Sequence, residues 1–176
     1  MVESYRHADL KYDLYWDLVK DEKYADVERA VGSTRVDLLT EINNTPVAIE
    51  IQYTPISLKS ILHRMTEHTK KGFHTLWLFP EEILVQGDVV RRHQWVLAIQ
   101  HLQEGVIFVL KDQQIIPARI DYSLQFLKKT IKQDKKFLDM QSPIFLENLT
   151  FKQNDIYGIN ITTVDEWWIE SYLDLF

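Results

Sequence analysis

Cysteine is absent from this chain of 176 residues. Its absence excludes disulfides, thiolate zinc sites and cysteine nucleophiles, and it is compatible with a reducing cytosol. No stretch approaches the roughly 20 apolar residues of a membrane span. The first residues, MVESYRH, contain no apolar run of the kind that a signal peptide needs. We therefore expect a cytoplasmic protein without a membrane segment.

Internal repeats and linkers rich in proline, glycine or serine are also missing, so the sequence offers no domain boundary. The chain is 45% hydrophobic and 12% aromatic, which is typical of a globular protein with one substantial core. Its net charge of −6 argues against non-specific binding of polyanions. It does not exclude a nucleic-acid enzyme, because local patches of charge steer a ligand more than the total charge does.

The first half of the sequence predicts the order helix, three strands, helix, strand. Leucines at helical spacing indicate a helix over residues 6–23. Strands are predicted over residues 26–31, 34–40, 46–53 and 73–79. A helix that begins at Ser57 and ends near Gly72 separates the last two strands. Because this helix and strand form a crossover, we expect strand 73–79 to run parallel to an earlier strand.

The second half predicts further helices and strands that extend the same domain. We therefore divide one domain, residues 1–176, into a core over residues 1–80 and an extension over residues 81–176. The expected elements of the extension are a helix over residues 91–103, a hairpin over 105–110 and 115–120, a lysine-rich amphipathic helix over 122–140, two short strands within 143–163 and a closing helix over 164–176.

Two strands of the first half carry one carboxylate each, Asp37 and Glu50. If Asn43-Asn44 is a two-residue turn between them, opposed residues have numbers that sum to 87, and Asp37 faces Glu50 directly. A four-residue loop would shift the sum to 89 and make the two carboxylates diagonal neighbours. Both registers keep them on one face of the sheet. Opposed like charges destabilise a ladder, so a hard divalent cation between them is the expected partner.

This pattern resembles the PD-(D/E)XK nuclease superfamily and, within it, the family of the competence protein CoiA. The resemblance covers roughly residues 5–120 and is strongest over 35–80. The matching residues are Arg35-Val36-Asp37-Leu38-Leu39, the run from Ala48 to Ser57 (AIEIQYTPIS), Arg64, Leu76-Trp77-Leu78 and the pair His7 and Lys11. It implies a restriction-endonuclease-like α/β fold, with an αβββαβ core, a mixed sheet and a C-terminal α+β extension.

The resemblance also implies an endonuclease that cleaves DNA with Mg²⁺ or Mn²⁺, in DNA uptake, recombination or defence against mobile DNA. Asp37 and Glu50 would bind the metal, and Glu28 is a third candidate carboxylate. The substrate-binding residues would be Arg64, His7, Lys11 and Arg35. A metal at Asp37 and Glu50 would lower the pKa of a bound water and stabilise charge on the phosphate.

Gln52 stands where the superfamily pattern has a lysine, although the CoiA family itself carries a glutamine there. An amide can position water or phosphate but supplies no charge. Lys11, Arg35 and Lys59 are the candidate cations, and the sequence does not choose among them. A catalytically inactive module of the same fold, which binds nucleic acid or a protein, is therefore the second hypothesis. A glycosidase with a pair of carboxylates ranks lower, because adjacent strands suit a shared metal better.

Other polar and aromatic groups have plainer interpretations. The spacing of five histidines does not match a metal site, so we interpret them as structural or surface residues: His63, His68, His74, His93 and His101. The lysines of residues 128–136 and Arg91-Arg92-His93 fit a solvated face, with contact to a nucleic-acid backbone as the alternative. The aromatic C-terminus, with Trp167, Trp168, Tyr172 and Phe176, is expected to pack within the chain or across a homodimer.

Overall fold

The structure is a computed structural model that describes residues 4–121, 130–132 and 137–165. In chain order its helices and strands are α1 (Tyr5–Lys20), β1 (Ala25–Val31), β2 (Thr34–Ile42), β3 (Thr45–Ile51), α2 (Leu58–Lys70), β4 (His74–Pro80), α3 (Glu81–Leu84), β5 (Val85–Gln86), β6 (Val89–Arg91), α4 (Gln94–Leu102), β7 (Ile107–Lys111), β8 (Gln114–Ile120), β9 (Thr130–Lys132), β10 (Leu138–Met140), β11 (Thr150–Gln153) and β12 (Asn160–Thr163). Within these residues, every helix is too short or too polar to span a lipid bilayer.

A seven-stranded mixed sheet organises the molecule, in the order β1-β2-β3-β4-β7-β8-β10. The central strands β3, β4 and β7 are parallel, and the strands on either side are antiparallel to their neighbours. The mixed α/β fold and the parallel crossover through α2 are therefore confirmed. Because α2 and α4 each connect one parallel strand to the next, both helices begin at the end of the sheet where these strands finish. We call this end the carboxyl edge.

Helices cover both faces of the sheet, so its central strands are buried on both sides. In β4, Leu76 and Leu78 pack in the same cluster as the buried leucines of α1, whereas Trp77 and Phe79 pack with α2 and α4. All four residues are 0% exposed. This alternation follows from the two-residue period of a strand, and it explains why residues 76–79 of β4 are all apolar.

The C-terminal half differs from the sequence prediction in one long element. We predicted an amphipathic helix over residues 122–140. For the described part of this range the prediction is wrong, because Thr130–Lys132 pairs with β6 and Leu138–Met140 pairs with β8. The remaining residues of this range, 122–129 and 133–136, lie outside the described ranges. The hairpin of β7 and β8 and the two short strands β11 and β12 are confirmed. Strands β7, β8 and β10 extend the same sheet as the predicted core.

The predicted closing helix over residues 164–176 lies almost wholly outside the described residues, as do its two tryptophans. Val164 and Asp165, which are described, are not helical. The first-half elements agree with the structure to within about three residues at each end, which is the usual disagreement at helix and strand ends. The N-cap explains where α2 begins, because the Ser57 hydroxyl accepts a hydrogen bond from Ser60 N at 3.1 Å.

The turn between β2 and β3 decides the register on which the candidate site depends. Asn43 and Asn44 have φ values of 52° and 64°, as a two-residue type I′ turn requires. Leu38 pairs with Ile49 and Ile42 pairs with Thr45, so paired numbers sum to 87. The two-residue turn is confirmed and the four-residue alternative is wrong. Ladder pairing stops at Leu38 and Ile49, one residue before Asp37 and Glu50 would meet.

Replacement of Asn44 tests this turn. We expect Asn44→Gly to keep or raise the free energy of unfolding, because glycine adopts a positive φ without steric cost. Asn44→Ala should lower it by roughly 1 kcal/mol, because an alanine Cβ disfavours the left-handed region. Urea unfolding of both variants measures the difference. Equal stability of the two variants would contradict the positive φ at this position.

Candidate active site

Because β2 and β3 are no longer paired at Asp37, the side chain of Asp37 lies between the two strands. Its Oδ2 atom accepts a hydrogen bond from the backbone N–H of Ile51 at 2.8 Å. A side-chain carboxylate thus takes an N–H group that a regular ladder would give to a backbone carbonyl. Only 14% of the Asp37 side chain is exposed. The backbone therefore fixes the orientation of this carboxylate at the carboxyl edge.

Glu50 lies on β3 beside Asp37 and is 5% exposed. Burial raises the pKa of its carboxyl group to about 8, and the negative charge of Asp37 contributes in the same direction. The guanidinium of Arg64 opposes the shift without cancelling it. A buried carboxylate with a second one beside it needs a positive partner to ionise at neutral pH. A further cation beside the pair would lower the pKa of Glu50 again.

Arg64 is the cation that the described structure places directly on Glu50. Its Nη1 atom donates to Glu50 Oε1 at 3.1 Å and to the backbone oxygen of Arg35 at 3.1 Å. These two contacts tie α2 to both strands that carry the carboxylates. The Arg64 side chain remains 34% exposed. It can therefore also meet a ligand that approaches from solvent.

His68 lies one turn after Arg64 and is fully buried. Its Nδ1 atom is 2.8 Å from Thr75 Oγ1, and its Nε2 atom is 3.2 Å from Thr34 Oγ1. Because the Thr34 hydroxyl donates to Val31 O, it must accept from Nε2–H, which assigns a neutral imidazole protonated at Nε2. Burial, followed by the charge of Arg64, lowers the pKa of this histidine to about 4.

His68 also belongs to the site, which its sequence context did not indicate: its Nε2 atom is 3.8 Å from Glu50 Oε1. The burial of His68 agrees with a structural role. Its position places a neutral imidazole ring beside the Glu50 carboxyl group. The available signal was helical spacing, because His68 follows Arg64 by four residues and continues the buried stripe of Ile61 and Met65. The two threonines come from separate strands, so no local pattern indicated them.

Helix α1 supplies His7 and Lys11, as the resemblance implied. His7 Nε2 is 3.3 Å from Asp37 Oδ2. The start of the helix is fixed by Ser4, whose hydroxyl accepts from His7 N at 3.1 Å. Lys11 is 1% exposed, and its ammonium group is paired with Glu28. Of the two residues, His7 therefore reaches the metal-binding candidates and Lys11 reaches the third carboxylate.

Glu28 occupies a strained position beside Asp37. Val27 pairs with Leu38 and Arg29 pairs with Val36, so Glu28 and Asp37 occupy the interval between two ladder pairs. The φ of Glu28 is 58°, which is unusual for a non-glycine residue within a strand. One of its carboxylate oxygens binds Lys11 and the other accepts from Arg35 Nε at 2.7 Å.

Both cations act on the Glu28 carboxyl group. The hydrogen bond from Lys11 makes the largest contribution to lowering its pKa, and Arg35 adds to it. Glu28 is therefore ionised and engaged through both oxygens. The structure brings it next to Asp37 as part of an ion-pair network, while the predicted catalytic role of Glu28 stays a prediction.

Gln52 follows the last residue of β3. Its backbone N–H donates to Leu78 O at 2.9 Å, which holds the chain against β4. Its side-chain amide donates to Thr54 O at 2.6 Å. The hydrogen bond that this amide donates thus goes to its own loop. Of the three cations considered for the missing lysine, Lys11 and Arg35 bind Glu28 and Lys59 is exposed on α2.

The donor set fits a hard divalent cation held by two carboxylates. Within the described ranges, no group of three or more histidine, aspartate or glutamate side chains is arranged to hold a metal. Mg²⁺ usually binds one or two carboxylates and completes its octahedron with waters and substrate phosphates. A cation between Asp37 and Glu50 would meet that requirement, and it would oppose the burial and the Asp37 charge that together raise the pKa of Glu50.

The pH dependence of stability without divalent cations tests the environment of Glu50. Folding raises the pKa of this carboxyl group from 4.5 to about 8, so between these values the folded state holds a proton that the unfolded state has lost. His68 has the opposite effect below about pH 6.5, because its folded-state pKa is lowered to about 4. Between about pH 6.5 and 8, where His68 is neutral in both states, the free energy of unfolding should therefore fall as pH rises, by up to about 1.4 kcal/mol per pH unit. Urea unfolding in EDTA from pH 5 to 9 measures this decline, and Glu50→Gln should remove it.

Glu41→Gln is the matched control, because Glu41 is an exposed glutamate of the same hairpin. This control should keep the wild-type pH dependence. Parallel curves for wild type and Glu50→Gln would contradict the buried, proton-binding state of Glu50.

Comparison with known proteins identifies the family. The sequence profile of the family described as "competence protein CoiA, nuclease-like domain" matches residues 3–167, nearly the whole chain. The comparisons with curated proteins and with solved structures gave no match. The matched range includes both strands of the carboxylate hairpin and the helices that supply His7 and Arg64. The chain therefore belongs to the family of the nuclease-like domain of competence protein CoiA.

Proposed function

We propose that this protein is a divalent-metal-dependent deoxyribonuclease that hydrolyses phosphodiester bonds. The observation that carries the proposal is the buried Glu50 carboxylate, whose pKa is raised to about 8 beside Asp37 at the carboxyl edge. Perturbed carboxyl groups at the end of a mixed sheet are typical of functional sites. Membership of a nuclease-like family selects phosphodiester hydrolysis among the reactions that paired carboxylates support.

Asp37 and Glu50 would hold Mg²⁺ or Mn²⁺ through their oxygen atoms. When bound, the metal supplies a water of lowered pKa and stabilises negative charge on the phosphate. The Ile51 N–H group keeps Asp37 oriented, and Arg64 favours the ionised form of Glu50. The neutral His68, held between two threonine hydroxyls, keeps that side of Glu50 free of additional charge.

The remaining residues would act on the substrate. Arg35 and Arg64 are 70% and 34% exposed, so their guanidinium groups can reach a phosphate, for which arginine has suitable geometry. His7 would polarise Asp37 through its 3.3 Å contact. Lys11 is buried and would act through Glu28. Gln52 would position water or phosphate after exchanging its bond to Thr54.

The proposed substrate is DNA, and the proposed setting is DNA uptake, recombination or defence against mobile DNA. A cytoplasmic location and a homodimer belong to the same proposal. The family supports this choice through its description as a competence protein.

A catalytically inactive module that binds nucleic acid or a protein is the alternative function. Two observations favour it: the Gln52 amide is bound to Thr54, and Lys11 and Arg35 are both bound to Glu28. Arg64 would then have a structural role as the counterion of Glu50.

A cleavage assay tests the main proposal. Purified protein is incubated with linear and circular DNA, single- and double-stranded, in Mg²⁺, Mn²⁺ or EDTA. We expect cleavage only with a divalent metal, and a loss of at least roughly 100-fold in Asp37→Ala and Glu50→Gln, because each removes a metal ligand. Cleavage of circles would show endonuclease action.

Glu41→Gln is again the control and should cleave at the wild-type rate. Circular dichroism and thermal unfolding establish that the inactive variants fold. Wild-type activity in Asp37→Ala would show that the assignment of the site is wrong. Absence of cleavage by a folded wild-type protein in either metal would instead favour the binding module.

The alternative makes its own prediction about salt. A binding module should retain DNA in EDTA, and its affinity should fall steeply as salt rises, since each neutralised phosphate releases counterions. Fluorescence anisotropy with a labelled duplex between 50 and 300 mM NaCl (roughly the range over which such losses reach orders of magnitude) measures the slope. Binding that is insensitive to salt would exclude contact with phosphates.

A further inference from the structure

Arg92, between β6 and α4, is a buried guanidinium that the proposed mechanism does not use. Only 9% of the residue is exposed. Its Nε atom is fully buried and has no hydrogen-bond partner. The acidic residues of the nearby helix α3 are engaged elsewhere, Glu81 with Lys111 and Glu82 with Arg6. Within the described residues, Arg92 forms no ion pair.

A buried charge without a partner is unfavourable, so buried arginines are normally matched by a carboxylate or another anion. Guanidinium groups bind phosphate through two parallel N–H donors. Because Nε is buried, the Arg92 donors suited to an anion from outside the chain are those on its two Nη atoms.

The start of α4 strengthens this interpretation. His93 is the N-cap residue, but its side chain does not cap the helix, and the first turn contains no acidic residue. The His93 ring lies 2.9 Å from Ile83 O and is tilted against Trp95, with 5.2 Å between ring centroids. Among the described parts of the chain, no side chain thus accepts from the N–H groups of Gln94, Trp95 and Val96, which follow Arg92. Such groups and the helix dipole favour an anion.

The start of α4 lies at the same edge of the sheet as the candidate active site. Helix α4 leads from β4 to the parallel strand β7, so it begins at the carboxyl edge, where Glu50 also lies. Strands β3, β4 and β7 are neighbours, and two spacings of about 4.8 Å separate the first from the last by roughly 10 Å. A nucleic-acid strand at Asp37 and Glu50 can extend over this distance.

We propose that Arg92, together with the first N–H groups of α4, binds a backbone phosphate of the nucleic acid, a few nucleotides from the phosphate at Asp37 and Glu50. The inference rests on the proposed function for its substrate class. Within Arg91-Arg92-His93 it assigns to the buried Arg92 a role that a solvated surface residue would not have. Arg92 binds and positions the strand and takes no part in the reaction at the metal.

The test compares full-length wild type, Arg92→Met, Arg92→Lys and the exposed-neighbour control Arg91→Met. Binding of labelled single- and double-stranded DNA is measured by anisotropy in EDTA, across a series of NaCl concentrations. We expect Arg92→Met to weaken binding roughly 3- to 30-fold and to reduce the salt slope by about 0.7–0.9, the value of one phosphate contact. Arg92→Lys should restore the slope, and Arg91→Met should change the affinity less than Arg92→Met does.

Thermal unfolding separates a binding role from a structural one. Arg92→Met should keep or raise the Tm in phosphate-free buffer, because it removes an unpaired buried charge. Inorganic phosphate, against chloride at equal ionic strength, should raise the Tm of wild type and not of Arg92→Met. A lower Tm of Arg92→Met with unchanged DNA affinity would overturn the inference.

The two proposals fail in different ways. DNA binding that depends on Arg92, without any cleavage, would refute the nuclease and support the phosphate site. Cleavage with unaltered binding by Arg92→Met would do the opposite. Stabilisation by inorganic phosphate without an effect on DNA binding would assign the site to free phosphate and overturn the backbone contact. Absence of DNA binding by wild type would overturn it as well.

Discussion

The structure of the site depends on one constraint, which is that Glu50 is a carboxylate on a strand covered by helices on both faces. Its ionisation needs compensation from the surroundings, because burial and Asp37 both oppose it. The fold supplies one positive charge from α2, through Arg64, and a neutral imidazole beside it. The compensation is incomplete, so the pKa of Glu50 remains raised, to about 8.

The ladder between β2 and β3 ends before Asp37 and Glu50, and this opening determines where the two carboxylates lie. Asp37 takes the N–H group of Ile51, so the strands remain connected while a carboxylate occupies the space between them. Next to it, Glu28 has a positive φ and forms ion pairs with Lys11 and Arg35. The acidic residues of this region are therefore separated into two sets. Glu28 is neutralised by Lys11 and Arg35, whereas Arg64 compensates the charge of Glu50 only in part.

The local parts of this arrangement could be predicted from the sequence, and the tertiary parts could not. Asn43-Asn44 suits a turn with two positive φ angles, so the register that brings Asp37 to Glu50 followed from a short pattern. The contact of His68 with the threonines joins residues 7 and 34 positions away, which periodicity does not show. The helix predicted over residues 122–140 failed where it is described because β6 and β8 provide strand partners, and pairing overrides propensity.

The two-residue turn has a consequence for how this family can vary. Hairpin tips are normally where insertions accumulate, since they lie in solvent and touch little. Here the tip sets which side of β3 each residue occupies. One added residue that shifted the pairing by a single position would carry Glu50 to the opposite face, away from Asp37, and would exchange buried side chains with it. A change in length at this tip is therefore compatible with the site only where the loop holds the added residues or the pairing shifts by two positions.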